Sequence, residues 1–186
     1  MFDGEPSDIE TIPVEREALA ALADGELGAM LDARCAIVTS LVAEITNVVS
    51  AAGPTRVIAM DMSGAAVGYA TGMPTGDPAP MRAWEDGLDL PAVAVACHGI
   101  AVLAYARDVA RIRADFDAYA RLLPAGVSLT VGVRPMPPDC HSAAEMAPKV
   151  ALLRERGVAS MEVSHHGSMW LHHLDWVREA VRNGTG

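Results

Sequence analysis

Four of the chain's six histidines fall within Ser164-His165-His166-Gly167-Ser168-Met169-Trp170-Leu171-His172-His173. Imidazole titrates near neutral pH, transfers protons and binds metals, so this stretch is the first candidate for chemistry. Adjacent histidines on a strand point to opposite faces, so His165 and His166 do not converge on one ion. His172 and His173 sit in a helical pattern, where neighbours diverge by about 100°. A catalytic metal centre needs three or more protein ligands, and His98 and His141 stand alone, so no metal and no other cofactor is expected. His165 and His166 are read as candidate proton-transfer groups at a strand end, or as corner histidines bonded to backbone. The matching candidate carboxylates are Asp61 in "AMDMSG" and Glu162 in "SMEVS". Tyr105, Arg107, Arg134 and Asp139, all at or just past strand ends, are candidate substrate-binding residues.

Positioning these groups requires strands that end together. Residues 1–13 read as a loose acidic arm. Residues 14–53 read as a helical segment of two helices, 14–33 and 35–52, the second stopped by Gly53-Pro54. Residues 54–186 then alternate. "RVIAMDM" (56–62), "GIAVLAYA" (99–106), "GVSLTVGVRP" (126–135) and "VASMEVS" (158–164) read as strands. Helices are expected at 90–97, 107–123 and 170–182, with a short one near Met81–Glu85. Ser142-Ala-Ala-Glu145 fits a capping box, yet Pro148 follows, so the regular helix there is expected to start near Pro148. The whole chain, 1–186, reads as one domain.

Strands alternating with helices predict a parallel sheet with right-handed crossovers, an α/β protein. Val127, Leu129, Val131 and Val133 share one face of the third strand, and Ser128, Thr130, Gly132 and Arg134 share the other. In the fourth strand Ser160, Glu162 and Ser164 oppose Ala159, Met161 and Val163. One apolar and one small polar face suits a barrel wall, with an open doubly wound sheet, apolar on both faces, as the alternative. The run from "GIAVLAYARD" through "VSLTVGVRPMPPDCHSAAEMAPKVALLRERGVASMEVSHHGSMWLHHLDWVREAV" resembles the last βα units of TIM-barrel proteins of glycoside-hydrolase-like type. That resemblance implies a half TIM-barrel-like sheet of about four βα units behind the N-terminal helices. A full barrel has eight, so a second copy is expected to complete it, and the N-terminal helices are expected to cover a sheet edge. The "HHGS" letters also resemble a segment of metallo-β-lactamase-fold hydrolases, but the upstream HxHxDH cluster of that family is missing here.

Composition bounds the partners. A net charge of −10 and pI near 4.9 exclude a nucleic-acid or anionic-membrane surface. No uncharged apolar run is long enough to span a bilayer and no signal peptide is evident, so a cytoplasmic location is expected. Cys35, Cys97 and Cys140 include no CxxC pair and read as reduced packing thiols. The glycine- and proline-rich stretch 64–80 is a candidate lid, without a nucleotide-binding signature. The functional expectation is a hydrolase or lyase acting on a small polar substrate, perhaps a carbohydrate, through Asp61, Glu162 and His165 or His166. Paired carboxylates across one cleft suit glycoside cleavage. Glu162 has a second reading, as the structural ion-pair partner of Arg134. The alternative to an enzyme is a non-catalytic half-barrel remnant that self-associates or binds a partner.

Overall fold

A computed structural model describes residues 25–64, 78–158, 160–164, 167 and 169–183. The acidic arm, most of the first expected helix, residues 65–77 of the candidate lid at 64–80, and His165 and His166 lie outside the described residues.

Glu26–Ala52 forms one 27-residue helix, α1. The sequence pattern splits this stretch near Arg34. The chain runs straight through because Ala33, Arg34 and Cys35 include no helix breaker, and Gly28 costs only about 1 kcal/mol. Three-residue strand β1, Ala59–Asp61, follows. A 3-10 helix, Ala79–Asp86, and helix α2, Leu90–Ala96, lead to β2, Ile100–Leu103. The Asp89 side chain caps α2 by accepting from the Ala92 amide. Helix α3, Val109–Leu122, is capped in the same way by Asp108 and leads to β3, Leu129–Val133. Helix α4 spans Ala143–Glu155, so it begins at the Ser142 cap and not at Pro148. The Ser142 hydroxyl accepts from the Glu145 amide, and Pro148 deletes only the bond to the Ala144 carbonyl, on an exposed residue that water can solvate. Strand β4, Ser160–Val163, and helix α5, Leu171–Asn183, complete the described chain.

The four strands pair in the order β1-β2-β3-β4, all parallel. The sheet is open, with β1 and β4 at its edges, and strand order never reverses, so it has no doubly wound switch point. Consecutive right-handed crossovers place every intervening helix on the same face. The core agrees. Ile100, Val102, Val131 and Val133 pack in one cluster with Val93 of α2, Ile112 and Phe116 of α3, Met146 and Val150 of α4 and Ala180 of α5. The alternate residues, Met60, Ala101, Thr130, Gly132, Ser160 and Glu162, occupy the opposite face. There the edge residues Met60, Ser160 and Glu162 are exposed, while Ala101 and Gly132 in the middle are buried.

Helix α1 does not lie along a sheet edge as expected. It packs on α2 and the 3-10 helix, outside the sheet. Its outer side leaves Met30, Ile37, Leu41 and Val48 more than half exposed. Leu27–Ala52 is long and apolar enough to cross a membrane, with mean hydropathy 1.6 and 6% of that window buried. Glu44 interrupts what would otherwise be an uncharged run from Cys35 to Thr55.

Candidate functional site

The strand-end residues do gather at the C-terminal side of the sheet, but on two different faces. A strand repeats every two residues, so neighbours in register share a face. Asp61 pairs with Val102, Val102 with Val131, and Val131 with Met161, the row that faces the helices. Glu162 pairs with Gly132 in the next row and faces away. The expected common cleft for Asp61 and Glu162 is therefore not formed: the sheet lies between the two carboxylates.

Asp61 is fully buried beneath the helices. Its Oδ1 accepts from the Ser63 amide at 2.9 Å and from the Ser63 hydroxyl at 2.6 Å. Its Oδ2 accepts a very short hydrogen bond from the Tyr119 hydroxyl of α3. Burial, then the Asp61 charge and its hydrogen bond, hold the Tyr119 phenol far above its usual range, so the proton stays on tyrosine. One turn earlier on α3, Asp115 accepts from the Ala79 amide at 2.7 Å and pairs with Arg111 at 3.0 Å. Burial raises its carboxyl despite those donors. These two carboxylates fix the connection after β1 to α3, and their donors leave them as acceptors inside the protein.

The second cluster forms where β3 ends. Pro135 stops the strand, and the Asp139 and Cys140 amides both donate to the Met136 carbonyl, folding the loop back. Arg134 Nε then donates to Asp139 Oδ2 at 2.5 Å. Lys149, from α4, donates to the Asp139 carbonyl. The Arg134 guanidinium sits 4.9 Å from the centre of the Tyr105 ring, within cation–π range. Arg134, Asp139, Lys149 and Tyr105 are all buried. The structural ion pair of Arg134 is thus with Asp139, five residues on, and not with Glu162. The proline-rich loop returns a carboxylate closer than the neighbouring strand does. Glu162 is exposed, and no hydrogen bond or ion pair engages it among the described residues. Beside it, a Cβ at Gly132 would lie 2.8 Å from a Leu103 methyl, so a larger residue there would push that side chain aside.

Arg107 lies at the exposed border of this second cluster, close enough to act on the Lys149 charge. It grips Glu145 Oε1 through two nitrogens at 3.1 and 2.6 Å, while the His141 amide donates to Oε2. The arginine, then the amide, hold the Glu145 carboxyl below its usual range. Of the eight candidate residues, the structure brings together Tyr105, Arg134 and Asp139, leaves Glu162 on the same sheet face as Arg134 without a bond to it, and puts Asp61 across the sheet from both. No protein-family model, curated protein or solved structure matches this chain.

Two important residues went unread in the sequence. Lys149 falls at helical spacing with Met146, Val150 and Leu153, so its stripe already pointed inward. Tyr119 falls on the apolar stripe of its helix, where a buried phenol needs a hydrogen-bond partner, here Asp61. Among the described residues no group of three or more His, Cys, Asp or Glu is placed to hold a metal. In the last helix His172 is exposed, but His173 is buried against Trp176 at 4.7 Å between ring centres. Burial first, then His172, lowers its pKa.

Burial also lowers the Lys149 pKa, against the opposing pull of Cys140, Asp139 and Glu145. A base with a depressed folded pKa binds fewer protons folded than unfolded. Its contribution therefore stabilises fully above the unfolded value near 10.5 and is lost as pH falls through the folded value. Urea midpoints measured across the alkaline range for the parent chain and Lys149→Met are expected to diverge accordingly. Lys149→Met gains on the parent as pH falls through that window. The difference between the two profiles removes the opposite contribution of Tyr119, and a difference flat with pH would refute this account of Lys149.

Proposed function

We propose that the chain is a self-associating half-barrel scaffold, in which two copies close an eight-stranded parallel barrel whose C-terminal mouth receives a small polar ligand. The observation that carries this reading is the pair of sheet edges. Among the described residues β1 and β4 have no partner on their outer sides. All four strands are parallel, so a two-fold axis running along them sets β4 beside the β1 of a second copy, also in parallel, twice over. No edge then remains, and eight strands is the number at which side chains fill a barrel interior. The face that would turn inward carries Ile58, Met60 and Met62, alternate apolar residues 37%, 47% and 50% exposed along the β1 edge. The resemblance to TIM-barrel proteins supports the same assembly. The mouth is lined from β3 by the Arg134 region, which suits an anionic or hydroxyl-rich ligand.

Light scattering after gel filtration is expected to give twice the 19.5 kDa chain mass. Met60→Lys tests the closure directly. A lysine on the exposed face is harmless to a monomer but is buried in the closed barrel. Its dimer dissociation constant is expected to rise about 100-fold, or ~2.7 kcal/mol, with the melting of the separated chain unchanged. A parent chain that stays at 19.5 kDa at millimolar concentration ends the reading.

A second reading, a hydrolase or lyase acting at the same mouth, is favoured by Glu162, an exposed carboxylate on the inward-turning face. It accounts for the resemblance to glycoside-hydrolase-like proteins without Asp61. Hydrolysis of nitrophenyl glycosides by the parent chain, lost in Glu162→Gln at unchanged stability, is the result it requires. A parent chain inert on that panel, or an active Glu162→Gln, removes it.

A further inference from the structure

A groove of about 800 Å³ runs between α1, the 3-10 helix and α2, on the outer side of the helices and away from the sheet. Its size falls in the range of small-molecule sites, which are mostly apolar with a few placed polar groups. Trp84, Leu90 and Cys35 supply apolar wall, and among the described residues Asp32 and Asp89 are the charged groups that line it. Both carboxylates act on the Cys35 thiol: burial raises its pKa most, and Asp89 and Asp32 raise it further. Arg34, which acts on Cys35, lies under Gly87, where a Cβ would meet its Nε at 2.9 Å, and it is not among the residues that line the groove. Asp32 forms no ion pair among the described residues, and Asp89 only caps α2. Thr39 also borders the groove, and its hydroxyl is sealed from solvent with no hydrogen-bond partner. An unsatisfied buried hydroxyl is costly enough, at about 1–3 kcal/mol, to need a reason.

We propose that this groove is a binding site for an elongated apolar molecule with a cationic head, an alkylamine or alkylammonium. The apolar length and the tryptophan wall take the chain. Asp32 and Asp89 attract the cation, and an indole is the best aromatic partner for a quaternary ammonium. An anionic amphiphile of the same length meets the same apolar wall but two repelling carboxylates. A sheet–sheet association uses the other side of the protein, so the groove stays available in monomer and dimer alike.

Isothermal titration of the full chain with decyltrimethylammonium, below its micellar concentration, is expected to show one site. Decanoate is expected to bind at least tenfold more weakly, a comparison that needs no variant. In Asp32→Asn/Asp89→Asn the preference should shrink to within about threefold, through loss of decyltrimethylammonium affinity. Asparagine caps a helix as well as aspartate does, so α2 is retained. Ala92→Trp, which fills the groove, should abolish binding of both probes. Equal affinity for decanoate overturns the proposal, as does a cation preference that survives in the double asparagine variant. Many weak sites per chain, the mark of adsorption on the apolar side of α1, overturn it too.

Discussion

Replacing Asp139 by alanine lowers stability by about 3–5 kcal/mol, the largest single effect expected in this chain. The side chains of Arg134 and Asp139 are 5% and 2% exposed and 2.5 Å apart. Arginine does not deprotonate, so removing the carboxylate strands a permanent positive charge between Tyr105 and the loop that follows β3. The Lys149 bond to the Asp139 backbone carbonyl survives the substitution, so a second cation stays nearby. For a chain of this size the melting temperature falls by about 10 °C. The double variant Arg134→Met/Asp139→Leu removes both charges and fills the space, and is expected to recover more than half of the loss. Thermal melts of the three proteins decide the matter. A single Asp139→Ala variant that melts within 2 °C of the parent, at about that limit of resolution, would falsify the buried-pair account. If the mouth beside Arg134 binds ligand, the double variant also separates that role: it regains stability but not binding.

Asp61→Ala is expected to cost about 3–4 kcal/mol, again as a loss of folding. The carboxylate accepts three hydrogen bonds, two from Ser63 and one from Tyr119, and none of it reaches water. Alanine leaves the Tyr119 hydroxyl buried without an acceptor and unties Ser63 from β1. Tyr119→Phe leaves the buried Asp61 carboxylate short of one donor and is expected to cost about 1.5–3 kcal/mol. The two changes share one interaction, so the double variant should lose less than the sum, by about 1–3 kcal/mol in a double-mutant cycle. This separates the structural role of Asp61 from the catalytic one its strand-end position suggests. A catalytic carboxylate would give Asp61→Asn with reduced turnover and unchanged melting. The geometry here requires the melting temperature to fall, and additive single variants would show that the Asp61–Tyr119 bond carries no coupling.

The chain's alternation of apolar strands and amphipathic helices was enough to specify an α/β protein, four strands in parallel and the segments that form them. Period-two patterning also told which residues of β3 and β4 face the core, because Val131 and Val133 need burial whatever their neighbours are. The capping box at Ser142 was legible, but Pro148 outweighed it and put the expected helix start too late: one lost backbone bond on an exposed residue costs less than the cap contributes. Composition alone set the acidic surface.

Pairing of charges across the fold was decided only in three dimensions. Arg134 met Asp139 because a proline-rich loop turns back on the strand end, a path no residue pattern encodes. Asp61 and Glu162, both near strand ends, were split by one residue of register: its phase relative to β2 puts Asp61 in the row under the helices. A strand as short as Ala59–Asp61 has too few alternations to announce that phase by itself. The groove beside Cys35 likewise depends on how α1 settles on α2, a packing angle set by contacts far apart in the chain. Short-range physics fixes which elements form and which sides want burial. Which polar groups then meet depends on contacts between distant segments, and these exist only once the chain has folded.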